Sequence, residues 1–419
     1  MSQATDRSSS LQRVVSGGKR TYAWLALIGL GFLIGLYGVL LTLLEGTTVL
    51  GVTNQVPWGI LISTYVFFAL LSTGICIGIT SLSSVFDRET YDPLVKRGIL
   101  LSLITLAAGG LVIMSGLGQP FRAIPQMLLS PNPAAPMWWM IVLYSMYGGA
   151  LVAEFYLIDR VDHPSRTLTL GVGLVALIAP VLAGLMLGAI FGTAETRPYY
   201  GGIFSSVYLL VTAVFSGVAL LTAVTVLERR FTSATRDVVG EELLTGTLGT
   251  YLGGLAALTL LLTALRHVYG LVATNDALTL AHQQMLFGGH SLWAVGVGVL
   301  VGMILPLALL VTRRTRTVSG VFAASVLVLV GMFASRLEFV FGGQIVALTN
   351  DPSHQYPVVS YVPSVPEIAI VVMGFALFAF LYTVGRAVFD LDELPDHGET
   401  PESVSQPDAV AEIGGDDDD

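Results

Sequence analysis

Ionisable side chains inside long apolar segments are costly to bury, so each is a candidate for function. One set of them clusters at similar depth in the C-terminal half of the sequence: Arg266, His267, His290, Arg336, Glu338 and Glu367. Two readings stand side by side. Arg336 and Glu338 can form a stabilising pair while the others snorkel to water, or the set can handle protons or dock a partner. His267 and His290 also raise b-type haem, since two imidazoles on neighbouring helices can ligate iron. His163, His282, His354 and His397 fall in loops or the tail, so a second pair to carry electrons across a bilayer is missing and no haem is expected.

A second set is aromatic and amphipathic. Asn54, Gln55, Pro57, Trp58 and Gly59 precede Tyr65 and the small residues Ser72, Thr73 and Gly74, which permit close helix packing. Interfacial aromatics are commonly plain anchors. The alternative is the wall of a flat slot with Gln119 and Arg122 at its rim. A quinone needs such a slot, with apolar sides for ring and tail and donors for its carbonyl oxygens. Glu154 stands apart, about one turn before Asp159, either as an interfacial carboxylate or as part of a proton path rising toward the slot. The single Cys76 excludes an internal disulfide and an iron-sulfur cluster held by this chain alone. Walker loops, nucleophile elbows and His-Glu zinc motifs are absent from the sequence.

The elements that must position these residues are membrane helices. Of the residues, 54% are hydrophobic and only 12% charged, whereas soluble domains carry about 25% charged residues. A bilayer core of about 30 Å requires roughly 20 apolar residues per crossing. Ten such runs are present, at approximately 22–44, 57–80, 97–117, 137–157, 168–190, 202–227, 248–270, 288–311, 318–340 and 364–389. The fold expected is therefore all-α and polytopic, with ten transmembrane helices. Sixteen Lys and Arg lie in the N-terminal segment, in alternate loops and at Arg386; the opposite loops hold only Arg122 and Arg197. By the excess of basic residues on the inner side, both termini are expected in the cytoplasm of a multi-pass cell-membrane protein.

Residues 390–419 hold 12 of the 29 acidic groups and neither Lys nor Arg, leaving 20 basic against 17 acidic groups elsewhere. The net charge of -9 thus belongs to a tail, expected to be disordered. Nucleic-acid binding has no support. Three connections, 118–136, 271–287 and 341–363, are long and lie on the outer side in this topology. The first contains five prolines, so its backbone must sit in the interface or pack on protein.

Several segments together resemble a known family: VPWGILISTYVFFALLSTG at 56–74, LGQP at 117–120, PNP at 131–133 followed by PMWW, ASRLEFVFGGQ at 334–344 and YVPSVPE at 361–367. Their order and spacing resemble the NrfD/PsrC-type polysulfide reductase membrane subunits. The ten runs and the closing YVPSVPE are most similar to the longer branch, which includes the hydrogenase-2 and alternative complex III membrane subunits. This resemblance implies a haem-free subunit exchanging electrons and protons with membrane quinone, menaquinone in the first instance. It implies a four-cluster ferredoxin-like iron-sulfur subunit docked on the outer face and a molybdopterin catalytic subunit beyond it.

The resemblance also implies an N-terminal segment over 1–21 and a membrane domain over 22–389 in two bundles. A quinone bundle would cover about 57–190 and a second bundle about 202–340. Trp58, Gly59, Tyr65, Gln119 and Pro120 carry over to the quinone site, with Asn132 in the loop signature. Some relatives place a His close to the quinone head; this bundle has none, so Asn54, Gln55 or Arg122 would have to substitute. A function from another class competes, an ion-translocating or transporter-like protein, since ten helices, Pro180 within the fifth run and buried charges also suit alternating access. A transporter often repeats its halves, and the Trp58-Gly59 motif has no counterpart in the later runs.

Overall fold

The computed structural model describes residues 18–161, 163–347 and 356–395. Ten helical spans in it are long and apolar enough to cross a membrane. They are α1 (Lys19–Val49), α2 (Ile60–Ser84), α3 (Glu89–Gly116), α5 (Pro136–Arg160), α6 (Arg166–Gly192), α7 (Ile203–Phe231), α8 (Leu243–Val272), α10 (Leu292–Val311), α11 (Val318–Gly342) and α12 (Val365–Val388). Between them lie α4 (Pro120–Leu129), α9 (Asp276–Leu286) and a short helix at Ser233–Val238. Among the described residues there is no strand, only an isolated bridge between Val346 and Val358. The ten expected crossings are all present, with ends shifted by a few residues. The second begins at Ile60, since Pro57 and Gly59 lie in extended chain before it.

α2 and α7 form the centre, with 78% of the apolar stretch of each buried against protein; α1, at 28%, lies at the edge. Lipid is as apolar as leucine, so close backbone approach and packing, rather than hydrophobicity, hold such helices together. At the crossing a Cβ on Gly74 would strike the Ala213 carbonyl, and one on Gly217 would strike the backbone of Gly74 and Ile75. Glycine is thus required on both sides of that contact. α3, α5 and α6 close around one flank of α2, and α8, α10 and α11 around the corresponding flank of α7. α1 and α12 pack on each other along Gly31, Gly35 and Gly38, which face Ala376, Met373 and the Pro366 carbonyl.

The long connections carry short helices. Segment 118–136 contains α4, with Phe121 and Leu129 exposed and Ala123 turned toward the bundle. Segment 271–287 contains α9, capped by the Asn275 side chain accepting from the Leu278 amide at 3.0 Å.

The acidic tail is also not free at its root. Leu391 is buried, Asp392 accepts from Arg97 at 2.6 Å and from the Thr235 hydroxyl at 2.8 Å, and Glu393 pairs with Lys96. Lys96 also pairs with Asp159 at 3.0 Å. Lys96 and Arg97, expected in a loop, are buried within α3, and two such cations require carboxylates beside them. Residues 390–395 are therefore an ordered strap; the tail beyond lies outside the described residues, as does most of the N-terminal segment. The end of the bundle holding Lys96, Arg97, Arg160, Arg166, Arg229 and Arg313 is called the basic end below.

Candidate functional site

Near the end opposite the basic one, α2, α3, α5 and α6 enclose a cavity of about 740 Å³. Leu61, Ile62, Val66, Leu106, Ile113, Met140, Ile141, Leu187 and Ile190 give it apolar walls, and Trp58, Phe191, Tyr65 and Tyr144 supply aromatic ones. Trp58 meets Phe191 edge-on with ring centroids 5.1 Å apart. Polar groups are few and specific. The Tyr65 hydroxyl has only the weakly accepting Met140 sulfur at 3.2 Å. The Tyr144 hydroxyl is buried, with the Thr73 hydroxyl beside it but no hydrogen bond of good geometry. A buried hydroxyl in that state costs about 1–3 kcal/mol, which a ligand acceptor would recover.

The start of α2, which forms one wall, is held by residues distant in sequence. Gln344, fully buried, brackets the Trp58 backbone: its Oε1 accepts from the Trp58 amide and its Nε2 donates to the Trp58 carbonyl, each at 2.9 Å. The Tyr361 hydroxyl accepts from the Ile60 amide at 2.9 Å and donates to Glu367 at 2.7 Å. Glu367 also accepts from the amides of Gly51 at 2.9 Å and Ser364 at 2.8 Å, completing a capping box with Ser364. A Cβ on Gly59 would lie 2.5 Å from the Tyr361 hydroxyl and 2.7 Å from Glu367, so only glycine fits the clamp. Burial and the Glu367 carboxylate raise the Tyr361 pKa, keeping the phenol a donor.

Of the residues expected to bind a quinone, Trp58, Gly59 and Tyr65 line the cavity. Asn54, Gln55, Gln119 and Arg122 do not. Asn54 and Gln55 are exposed, and Gln55 contributes only its carbonyl, to Arg197 at 3.1 Å. Gln119 and Arg122 are exposed and bond to each other at 2.8 Å, because α4 carries them outward instead of over the cavity. The contributions of Gln344, Tyr361, Tyr144 and Met140 were missed. Gln344 and Tyr361 end and begin two of the quoted motifs, which is the signal that could have found them.

The C-terminal charges form a separate cluster, and its pairing differs from expectation. Residues two apart on a helix sit about 200° apart around the axis and cannot face each other. Glu338 pairs with Arg266 of α8 and accepts from the Tyr199 hydroxyl. Arg336 turns toward α7 and donates to the Thr212 hydroxyl at 2.7 Å. Arg266 lies over the rings of Tyr199, Tyr208 and Phe339, 5.0–5.5 Å from their centroids. Arg266, His267, Arg336, Glu338 and Glu367 are all buried and do not snorkel, while His290 is half-buried.

The considered haem pair is not formed as a pair. His267 meets His282 of α9, with Nδ1 atoms 3.0 Å apart, while His290 stacks edge-on with Trp293. Burial, reinforced by Arg266 and His267, pushes the His282 pKa down to about 3, so it is neutral at pH 7. Burial also holds the Tyr199 phenol protonated, with the Glu338 charge adding to it. His282 and Tyr199 were missed because both lie in connections, where polar residues carry no hydropathy signal.

Glu154 is buried in α5, near the basic end. It lines a second cavity, of about 380 Å³, together with Ser83, Ser84, Asp159, His163, Thr169 and the strap residue Glu393. The reading of Glu154 as an interfacial carboxylate does not fit this burial.

The polysulphide reductase NrfD family matches residues 48–347. The chain is 28% identical to a Halobacterium salinarum protein described as a membrane subunit of dimethyl sulfoxide reductase, over 91% of this chain and 94% of that one. It is 24% identical to the Hdr-like menaquinol oxidoreductase integral membrane subunit of Archaeoglobus fulgidus, covering 81% and 86% of the two chains. A subunit of the selenate reductase of Mesobacillus selenatarsenatis is 24% identical, over 70% of this chain and 76% of that one.

Proposed function

This chain belongs to the polysulphide reductase NrfD family, and from that membership we propose that it is the quinone-reactive membrane subunit of a respiratory oxidoreductase complex. The observation that carries the reading is the cavity beside Trp58, apolar on its walls yet holding two phenols, Tyr65 and Tyr144, with little or nothing else to bond. An apolar ring and isoprenoid tail fit such walls, and the phenols are placed to donate to carbonyl oxygens. The quinone proposed is menaquinone, supported by the similarity to a menaquinol oxidoreductase subunit. A bound quinone supplies reversible two-electron, two-proton chemistry. The protein's own part is to exclude water, hold the ring by Trp58 and Phe191, and offer hydroxyl protons at Tyr65 and Tyr144.

Electrons enter or leave through an iron-sulfur subunit of the four-cluster ferredoxin type, in line with a molybdopterin catalytic subunit. Similarity to a membrane subunit of a dimethyl sulfoxide reductase and to a selenate reductase subunit supports such an assembly. The docking face proposed is the end opposite the basic one. That end bears α4 and α9 and exposes Phe121, Leu129, Phe287 and Val362. The 16 to 2 division of basic residues supports placing that end outside and both termini in the cytoplasm. Reporter fusions in 118–136 should be active outside, and fusions in 232–242 inside; the reverse pattern would overturn the orientation.

The quinone assignment is tested by quenching of tryptophan fluorescence with a short-chain menaquinone analogue. Tyr65→Phe and Tyr144→Phe should each weaken binding about tenfold to a hundredfold, corresponding to roughly 1–3 kcal/mol for a lost hydrogen bond. Arg122→Ala, outside the cavity, should leave the affinity unchanged. If the two phenol variants bind as the parent does and Arg122→Ala does not, the quinone head lies under α4 and the cavity is not its site.

A further inference from the structure

Between the two cavities, α5 carries Met140, Tyr144, Tyr147, Leu151 and Glu154 at alternating spacings of four and three, which places them on one helix face. This face turns toward polar groups of α2. The Tyr147 hydroxyl, fully buried, lies 3.1 Å from the Ser72 hydroxyl and 3.0 Å from its carbonyl. Thr73, next to Ser72, has a buried hydroxyl that faces the Tyr144 hydroxyl, neither making another hydrogen bond. On the other side of Tyr147, Cys76 packs in one buried cluster with Tyr147, Leu151 and Phe155, its thiol donating to the Ala176 carbonyl at 2.9 Å. From Tyr144 to Glu154 is ten residues, or about 15 Å of rise, half of a bilayer core of about 30 Å.

Glu154 is the unexplained member of this line. It is 2% exposed, and neither carboxylate oxygen accepts a hydrogen bond. Ser84 faces it but donates to the Thr80 carbonyl at 3.0 Å. The nearby cations are committed elsewhere: Lys96 to Asp159 and Glu393, and Arg160 to Asp159 at 2.9 Å. The remaining groups around its cavity are Ser83 of α2, Val95 of α3, His163 and Pro164 of the following loop, Thr169 of α6 and the strap. A carboxyl buried with neither donor nor cation is expensive for a merely structural residue, since leucine would fill the space without that cost. It is suited to taking up and releasing a proton through water in its cavity.

We propose that Glu154 is a proton-binding site linking the basic-end cavity, through Cys76, Tyr147, Ser72 and Thr73, to Tyr144 and Tyr65 in the quinone cavity. This rests on the quinone reading. Oxidising a quinol releases two protons with two electrons, and reducing a quinone takes up the same. The electrons go to or come from the iron-sulfur protein, and the proposal gives at least one of the protons a route to the basic end. Protons are relayed by exchange along hydroxyl, thiol and water, with Glu154 returned to its starting form after each transfer.

Three measurements on the assembled complex in membranes test this. Dicyclohexylcarbodiimide, which adds to protonated carboxyls in apolar surroundings, should label Glu154 in the unaltered protein, as read by peptide mass spectrometry. Absence of that adduct would overturn the site without needing any variant. Glu154→Gln should keep complex recovery and affinity for the menaquinone analogue, yet lower quinol turnover roughly tenfold or more and change its pH profile. Tyr147→Phe, which keeps the ring and loses the hydroxyl, should slow turnover in the same direction, and Glu154→Asp should restore part of the Glu154→Gln loss. Full turnover with an unchanged pH profile in assembled Glu154→Gln would overturn the proposal while quinone binding stands. Failure of the analogue to bind the unaltered cavity would instead overturn the quinone reading.

Discussion

Replacing Arg266 by methionine should destabilise the protein by about 3–5 kcal/mol, more than replacing Arg266 and Glu338 together. The single change leaves Glu338, 3% exposed, as a buried carboxylate with the Tyr199 hydroxyl and, at 4.0 Å, the His267 ring beside it and no full cation. The double change Arg266→Met with Glu338→Leu removes both charges and the desolvation they impose, and apolar side chains can pack under Tyr199, Tyr208 and Phe339. Unfolding of the purified protein in detergent, followed by denaturant titration for both variants, gives the two values. Equal losses in the single and double variants would mean that the pair is not coupled and that Glu338 is stabilised by something else.

The second large effect is expected at Glu367. This carboxylate, fully buried, accepts three hydrogen bonds, from Gly51, Ser364 and Tyr361. Gly51 and Ser364 both donate to Oε2, so glutamine keeps them on its one acceptor oxygen but loses the charge and turns its amide against the Tyr361 hydroxyl, which must give up its own donation. A hydrogen bond to a charged group contributes about 1.5–3 kcal/mol, so Glu367→Gln should cost about 2–3 kcal/mol. Because the same contacts fix Gly59 and the first turn of α2, affinity for the quinone analogue should fall with stability. Tyr361→Phe, which frees only the Ile60 amide and one carboxylate oxygen, should cost less, about 1–2 kcal/mol. Amide hydrogen exchange at Gly51 and Ile60 checks the mechanism: unaltered protection in Glu367→Gln would show that the clamp does not hold the start of α2.

How far the sequence foretells these features follows from which property each one rests on. The crossings are legible because a bilayer imposes a length and a composition on every one of them, and Trp58 with Tyr65, seven residues apart, can be placed on one wall. Asn54, Gln55, Gln119 and Arg122 mislead because polarity near a motif resembles a ligand set, while only the path of α4 reveals that Arg122 points away. Arg336 and Glu338 illustrate the opposite case: helical period alone separates them, and their true partners, Thr212 and Arg266, lie 124 and 72 positions away. Gln344 acts through the backbone N–H and C=O of a single residue, a role without any compositional trace. The strap is hidden for a related reason, since an acidic segment reads as solvated until two buried cations are seen beneath it.

The seam between α1 and α12 bears on how the chain is made. Its glycines at 31, 35 and 38 meet residues 366–376, and Trp24 donates to the Thr383 hydroxyl at 3.0 Å. α1 therefore waits in the bilayer until α12 has been made. α12 and the segment before it bring Glu367 to Gly51 and Tyr361 to Ile60, so the wall beside Trp58 is fastened only once they are in place. A nascent chain arrested before α12 would hold all four helices around the cavity yet lack the clamp that shapes its mouth. The wall of the cavity is thus completed only after the four helices that enclose it are in place.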